Sequence, residues 1–118
     1  MKRLVALIPA ALLATVALAQ EAPEPARKDL WCGIAFGIVA AGIPADAPEE
    51  AQAEARQMAD GSAMLIDRAT LEHMEAGYDE AGFAAHKAER EAHVAANMVG
   101  PEPEYDYKYE ECSALLGL

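Results

Sequence analysis

The sequence is poor in the residues from which enzyme sites are built. Past its first twenty positions it holds two serines, Ser62 and Ser113, and one threonine, Thr70. No G-x-S-x-G, H-E-x-x-H, phosphate-binding loop or dinucleotide fingerprint occurs, so the strained nucleophile turns, zinc helices and glycine cradles those motifs supply are missing. Its two cysteines, Cys32 and Cys112, do not form a C-x-x-C pair, which argues against dithiol redox chemistry. Internal repeats are absent and β-branched residues are few, which argues against solenoids and sheets. Bases are scarce too. Nine Lys and Arg face twenty Asp and Glu, for a net charge of −11. Such a field repels nucleic-acid phosphates and anionic membrane surfaces, and it favours a basic protein partner. The reading is a binding or interaction protein without catalytic activity, with no cofactor and no nucleic acid.

What is present first concerns location. Lys2 and Arg3 precede an apolar run from Leu4 to Leu18, which ends in Ala17-Leu18-Ala19 and the proline-rich "EAPEP". That is the layout of a secretory signal peptide, residues 1–19. The run is shorter than the roughly 20 residues that a spanning helix needs, so no stable membrane anchor is expected after cleavage. The expected location is the periplasm or the medium. The mature chain would keep seven bases against twenty acids, a net charge of −13. In an oxidising compartment its two cysteines read as one disulfide, Cys32–Cys112, since two cysteines allow only one intramolecular pairing.

Residues 20–28, with Pro23 and Pro25 among charges, read as a linker, and residues 29–118 as a single helical domain. Asp29 is expected to cap a helix over Leu30–Gly42 that Gly42 and Pro44 stop. Gly33, Gly37 and Ala41 recur every four residues, a small face that lets a neighbouring helix approach. Asp46 and Glu49 read as a capping box opening a second segment. Ala51, Ala55, Met58, Ser62, Leu65 and Ala69 then share one face. Met64, Leu71 and Met74 share another. The pattern predicts either a break near Gly61 or Thr70, or a long helix buried on two sides. Gly77 reads as a C-cap and Asp79 as the cap of a third helix over Glu80–Val99. The end, "YDYKYEECSALLGL", reads as a helix from about Tyr107, with Trp31 and Tyr109 beside the disulfide. The fold class is all-α, a small bundle of about four helices stapled by one disulfide.

One polar cluster stands out. In "HKAEREAH", His86 and Glu89 lie at i, i+3 and Glu89 and His93 at i, i+4, spacings at which imidazole and carboxylate can hold Zn²⁺ or Cu²⁺. Arg90 sits among them and its charge opposes a cation. A metal-binding protein using the His86/Glu89/His93 face is therefore an alternative to the solvated stripe.

The signal-like start, "LWCG" near the mature N-terminus and "YEEC" near the C-terminus give the chain an architecture that resembles the small exported two-cysteine helical proteins of Gram-negative bacteria. Acid-stress periplasmic chaperones are similar in size, helicity and single disulfide. That likeness implies, as an alternative, client binding at low pH. The loop between the present cysteines is much longer, and no site residue carries over.

Overall fold

The computed structural model describes residues 21–118; the expected leader, 1–19, and Gln20 lie outside them. The described chain forms four helices and no strand: α1, Glu24–Ala41; α2, Glu49–Glu75; α3, Glu80–Met98; and α4, Tyr109–Ala114. This is the all-α bundle expected, with the Cys32–Cys112 bond formed across 80 positions at a Cα–Cα distance of 5.4 Å.

The stretch read as a linker is largely helix. Pro23 holds the N-cap position of α1, and Pro25 lies in its first turn. Proline is tolerated there because the first helical N–H groups have no partner within the helix. Ala22 and Ala26 are buried, so packing extends the helix toward its start. Asp29 is accordingly not a cap. It lies inside α1 and is only 3% exposed. The helix ends at Ala41, with Gly42 in the C-cap position, where the glycine and proline predicted a stop.

Asp46 does not cap α2 either. Pro48 occupies the N-cap position with no side-chain bond, and the Gln52 amide instead satisfies the carbonyls of Ala45 and Ala47, both at 2.7 Å. The helix runs unbroken through Gly61 and Thr70 for 27 residues, about 40 Å at 1.5 Å per residue. Its buried stripe is Ser62, Leu65, Ala69 and His73, while Met64 and Leu71 are exposed, so it is buried on one face rather than two. Gly61 costs the helix up to about 1 kcal/mol against alanine, but packing overrides propensity here. Gly61 itself is buried, with Leu116 lying against it.

Close approach of α1 and α2 follows from the small face. A Cβ on Gly33 would stand 2.8 Å from Ile66 Cγ1 and 3.2 Å from the Ser62 carbonyl. Ser62 Oγ donates to the Gly33 carbonyl at 2.6 Å across this seam. Leu30, Ile34 and Phe36 of α1, Leu65 and Ala69 of α2, and Phe83 and Val94 of α3 close the core.

Gly77 and Asp79 act as read. Gly77 has φ 114°, the left-handed conformation that glycine adopts most easily. Tyr78 N donates to the His73 carbonyl and Gly77 N to the Met74 carbonyl, a Schellman ending for α2. Asp79 then accepts from Gly82 N at 2.6 Å and caps α3. The last helix is shorter than expected. It begins at Tyr109, with Glu111 accepting from Lys108 N at 3.0 Å. Tyr105 and Tyr107 lie in the loop before it.

Candidate functional site

The start of α1, the turn after α2, the middle of α3 and the loop before α4 meet around Trp31. They enclose an open cavity of about 300 Å³. Trp31 and Leu30 come from α1, Tyr78 from the α2–α3 turn, His86 and Arg90 from α3, and Asp106 and Tyr107 from the last loop; Arg27 and Glu21 complete the rim. Trp31 is the sole tryptophan. Its ring meets Tyr107 edge-on at 5.7 Å and Tyr105 at 6.3 Å. Tyr109 stands against Phe36 at 6.2 Å, and it and Trp31 line one hollow with Cys112, beside the disulfide as expected. The alternation of the three tyrosines thus divides them between two aromatic partners on α1.

The cavity is charged on both sides. Arg27 Nε donates to the Ala22 carbonyl at 3.1 Å, and Arg27 makes no ion pair among the described residues. Arg90 reaches Asp106 only at 3.8 Å. Tyr107 donates to Glu24 at 2.9 Å. Burial first, then this bond and the Glu24 charge, push the Tyr107 phenol up to about 12. The phenol therefore stays a donor across the physiological range. Lys28 Nζ sits 5.6 Å from the centre of the same ring, within cation–π range.

Behind the cavity lies an aromatic cluster set up by the Schellman turn. In that motif the residue after the glycine packs on the third residue from the helix end; here Tyr78 meets His73 at 5.3 Å. His73 also touches Phe83 at 5.0 Å and His86 at 5.4 Å. It is fully buried, with Nδ1 2.7 Å from the Ala69 carbonyl. A carbonyl only accepts, so Nδ1 carries a proton. Nε2 is buried and has no partner among the described residues. His86 is held below the usual histidine range, chiefly by burial and then by His73 and Arg90, with Glu89 opposing. It is therefore neutral at neutral pH.

A second polar group joins α1 to α2. Arg68 Nε and Nη2 each donate to the Asp29 carboxylate at 2.8 Å. Burial alone would raise the Asp29 pKa. The Arg68 bond, a bond from Glu72 and the charges of Arg68 and Lys28 more than offset it and hold the group below its ordinary value. Glu72 is affected in the opposite sense. Burial, the bond to Asp29 and the Asp29 charge push it up to about 7. Its Oε1 is buried and has no hydrogen-bond partner among the described residues, and protonation spares Glu72 a second negative charge beside Asp29. Arg68 thus pairs with Asp29 on α1 rather than with Glu72, one turn along its own helix, whereas Lys87 on α3 pairs with Glu91 one turn on, at 3.0 Å.

The His86/Glu89/His93 face is not gathered around one point. His86 turns onto His73 and Tyr78, while His93 is exposed and accepts from the Asn97 amide at 2.9 Å. Among the described residues no group of three or more His, Cys, Asp or Glu could hold a metal ion, so the expected ligand set has no geometric support. No helix among them is long and apolar enough to cross a membrane. Sequence reasoning missed Asp29, Arg68 and the His73–His86 contact. The only local signal was the Gly77-Tyr78 turn, which brings Tyr78 onto His73. Compared with protein-family models, with curated proteins and with solved structures, the chain matches none.

Proposed function

We propose that this chain is an exported, acidic, helical binding protein without catalytic activity, and that the cavity beside Trp31 is its binding site. The observation that carries the reading is the cavity itself. Four separate segments converge on one concave space that sets aromatic side chains beside charged and hydrogen-bonding groups, the convergence of polar groups that fixes a ligand's orientation. The signal-like start and the long-range disulfide support an extracytoplasmic, periplasmic location. The acidic surface disfavours nucleic acid and favours a basic protein where the partner is a macromolecule. The test is native mass spectrometry of the oxidised protein after incubation with the small-molecule fraction of a periplasmic extract. A retained bound mass, with a matching change in Trp31 emission, supports the reading. An empty protein with unchanged emission overturns it.

The Asp29–Arg68 pair favours a second reading, an acid-activated chaperone. Asp29 keeps its charge to lower pH than an ordinary carboxylate, and once it is protonated the tie between α1 and α2 is lost, freeing apolar surface of α1 for clients. A hydrophobic dye followed from pH 7 to pH 2 tests it. Dye binding that stays flat across the range removes its basis.

A further inference from the structure

The ligand class can be read from the charges around the cavity. We propose that it binds a small zwitterion, an α-amino acid with an apolar or aromatic side chain; this rests on the cavity being the binding site. The rim carries two guanidiniums, Arg27 and Arg90, and two carboxylates, Glu21 and Asp106. His86 adds no charge at neutral pH. The cavity is therefore close to neutral, inside a chain that is strongly acidic elsewhere.

That balance discriminates among ligands. A simple anion approaches against the field of the whole chain and meets Glu21 and Asp106. A simple cation is drawn in by the field but meets two guanidiniums. A zwitterion feels no net long-range force and finds both signs waiting. Arg27 makes no ion pair among the described residues, and Arg90 holds Asp106 only loosely, so both guanidiniums can take a ligand carboxylate. Glu21 or Asp106 then accepts from the ligand ammonium. Trp31, Tyr78 and Tyr107 line the same space and supply aromatic surface for an apolar side chain. The volume, about 300 Å³, lies at the bottom of the range of about 300–1,000 Å³ for ligand pockets, which suits one amino acid better than a peptide.

Three probes separate the possibilities: L-phenylalanine, N-acetyl-L-phenylalanine, which lacks the ammonium, and L-phenylalaninamide, which lacks the carboxylate. Each is titrated into the full-length oxidised protein, read by Trp31 emission and by calorimetry. Phenylalanine is expected to bind saturably, and each singly charged analogue about tenfold or more weakly, the scale of one lost charged hydrogen bond. Arg90→Gln and Asp106→Asn are each expected to weaken phenylalanine binding about tenfold with helix content unchanged, because both side chains lie at the surface of the fold. Equal binding of either analogue overturns the zwitterion while leaving the cavity a binding site. If none of the three binds, the zwitterion falls; a mass captured from the extract then keeps the wider reading, and an empty protein removes both.

Discussion

Arg68 holds Asp29 by two hydrogen bonds of 2.8 Å across 39 positions of sequence. The carboxylate is almost wholly buried, while the Arg68 side chain is 43% exposed. Removing one partner of a fully buried pair costs about 3–5 kcal/mol, because the other charge is left desolvated and unpaired. Here water reaches the guanidinium side, so Arg68→Ala is expected to cost less, about 2–3 kcal/mol. Urea denaturation at pH 7 measures it. Arg68→Lys should also destabilise, since an ammonium cannot reproduce the two-pronged geometry.

The neighbouring Glu72 makes stability depend on pH near neutrality. Its folded pKa, about 7, lies above its ordinary value of 4.5. Its contribution is therefore fully present below 4.5 and is lost as pH rises through about 7. Asp29 has the opposite sign. Its folded pKa is below 3.8, so its contribution is present above 3.8 and is lost as pH falls through the lower folded value. Melting temperature should rise from pH 8 to pH 5 and fall in strong acid. Glu72→Gln keeps a donor toward Asp29 without the charge, and should flatten the rise between pH 8 and pH 5. An unchanged slope in that variant would assign the pH dependence to other groups.

The disulfide closes a loop of 80 positions. In the chain-entropy description such a loop contributes about 4 kcal/mol by restricting the unfolded state. That is a large share of the roughly 5–15 kcal/mol of a typical domain. The Cys32→Ser, Cys112→Ser double variant should lose about that much in urea denaturation. Mass spectrometry of the natural protein without reductant should find the two peptides linked. Two free thiols would remove this staple from the stability of the natural protein.

Gly33 tests the seam between α1 and α2. Alanine would gain up to about 1 kcal/mol of helix propensity, but its Cβ would press on Ile66 and on the Ser62 backbone. Overpacking of a close-packed seam costs about 1–3 kcal/mol. Gly33→Ala should therefore be net destabilising in thermal melts, and Gly33→Val more so. A stabilised Gly33→Ala would mean that the helices separate easily.

The sequence by itself determined the class of fold, the disulfide pairing, the small face of α1, and the turn from Gly77 to Asp79. Each rests on a local or combinatorial rule. Helical periodicity acts over three or four residues, a left-handed turn needs its glycine, a cap needs its side-chain oxygen, and two cysteines allow one intramolecular bond. The tertiary structure alone decided where polar side chains go when a near and a far partner compete. Arg68 had Glu72 one turn away, yet it bonds Asp29 on another helix, because packing α1 against α2 sets both Asp29 oxygens 2.8 Å from the two guanidinium nitrogens, a two-pronged geometry. His86 shared a helix face with Glu89 and His93, yet it packs on His73 and Tyr78, because the Schellman turn folds α3 back over the end of α2. Burial of Ala26 and Asp29 likewise turned an expected linker into the opening of α1, so that Asp29 became a core group rather than a cap. The cavity at Trp31 is the product of these long-range choices. Its walls come from residues as far apart as Glu21 and Tyr107, and only packing brings them together.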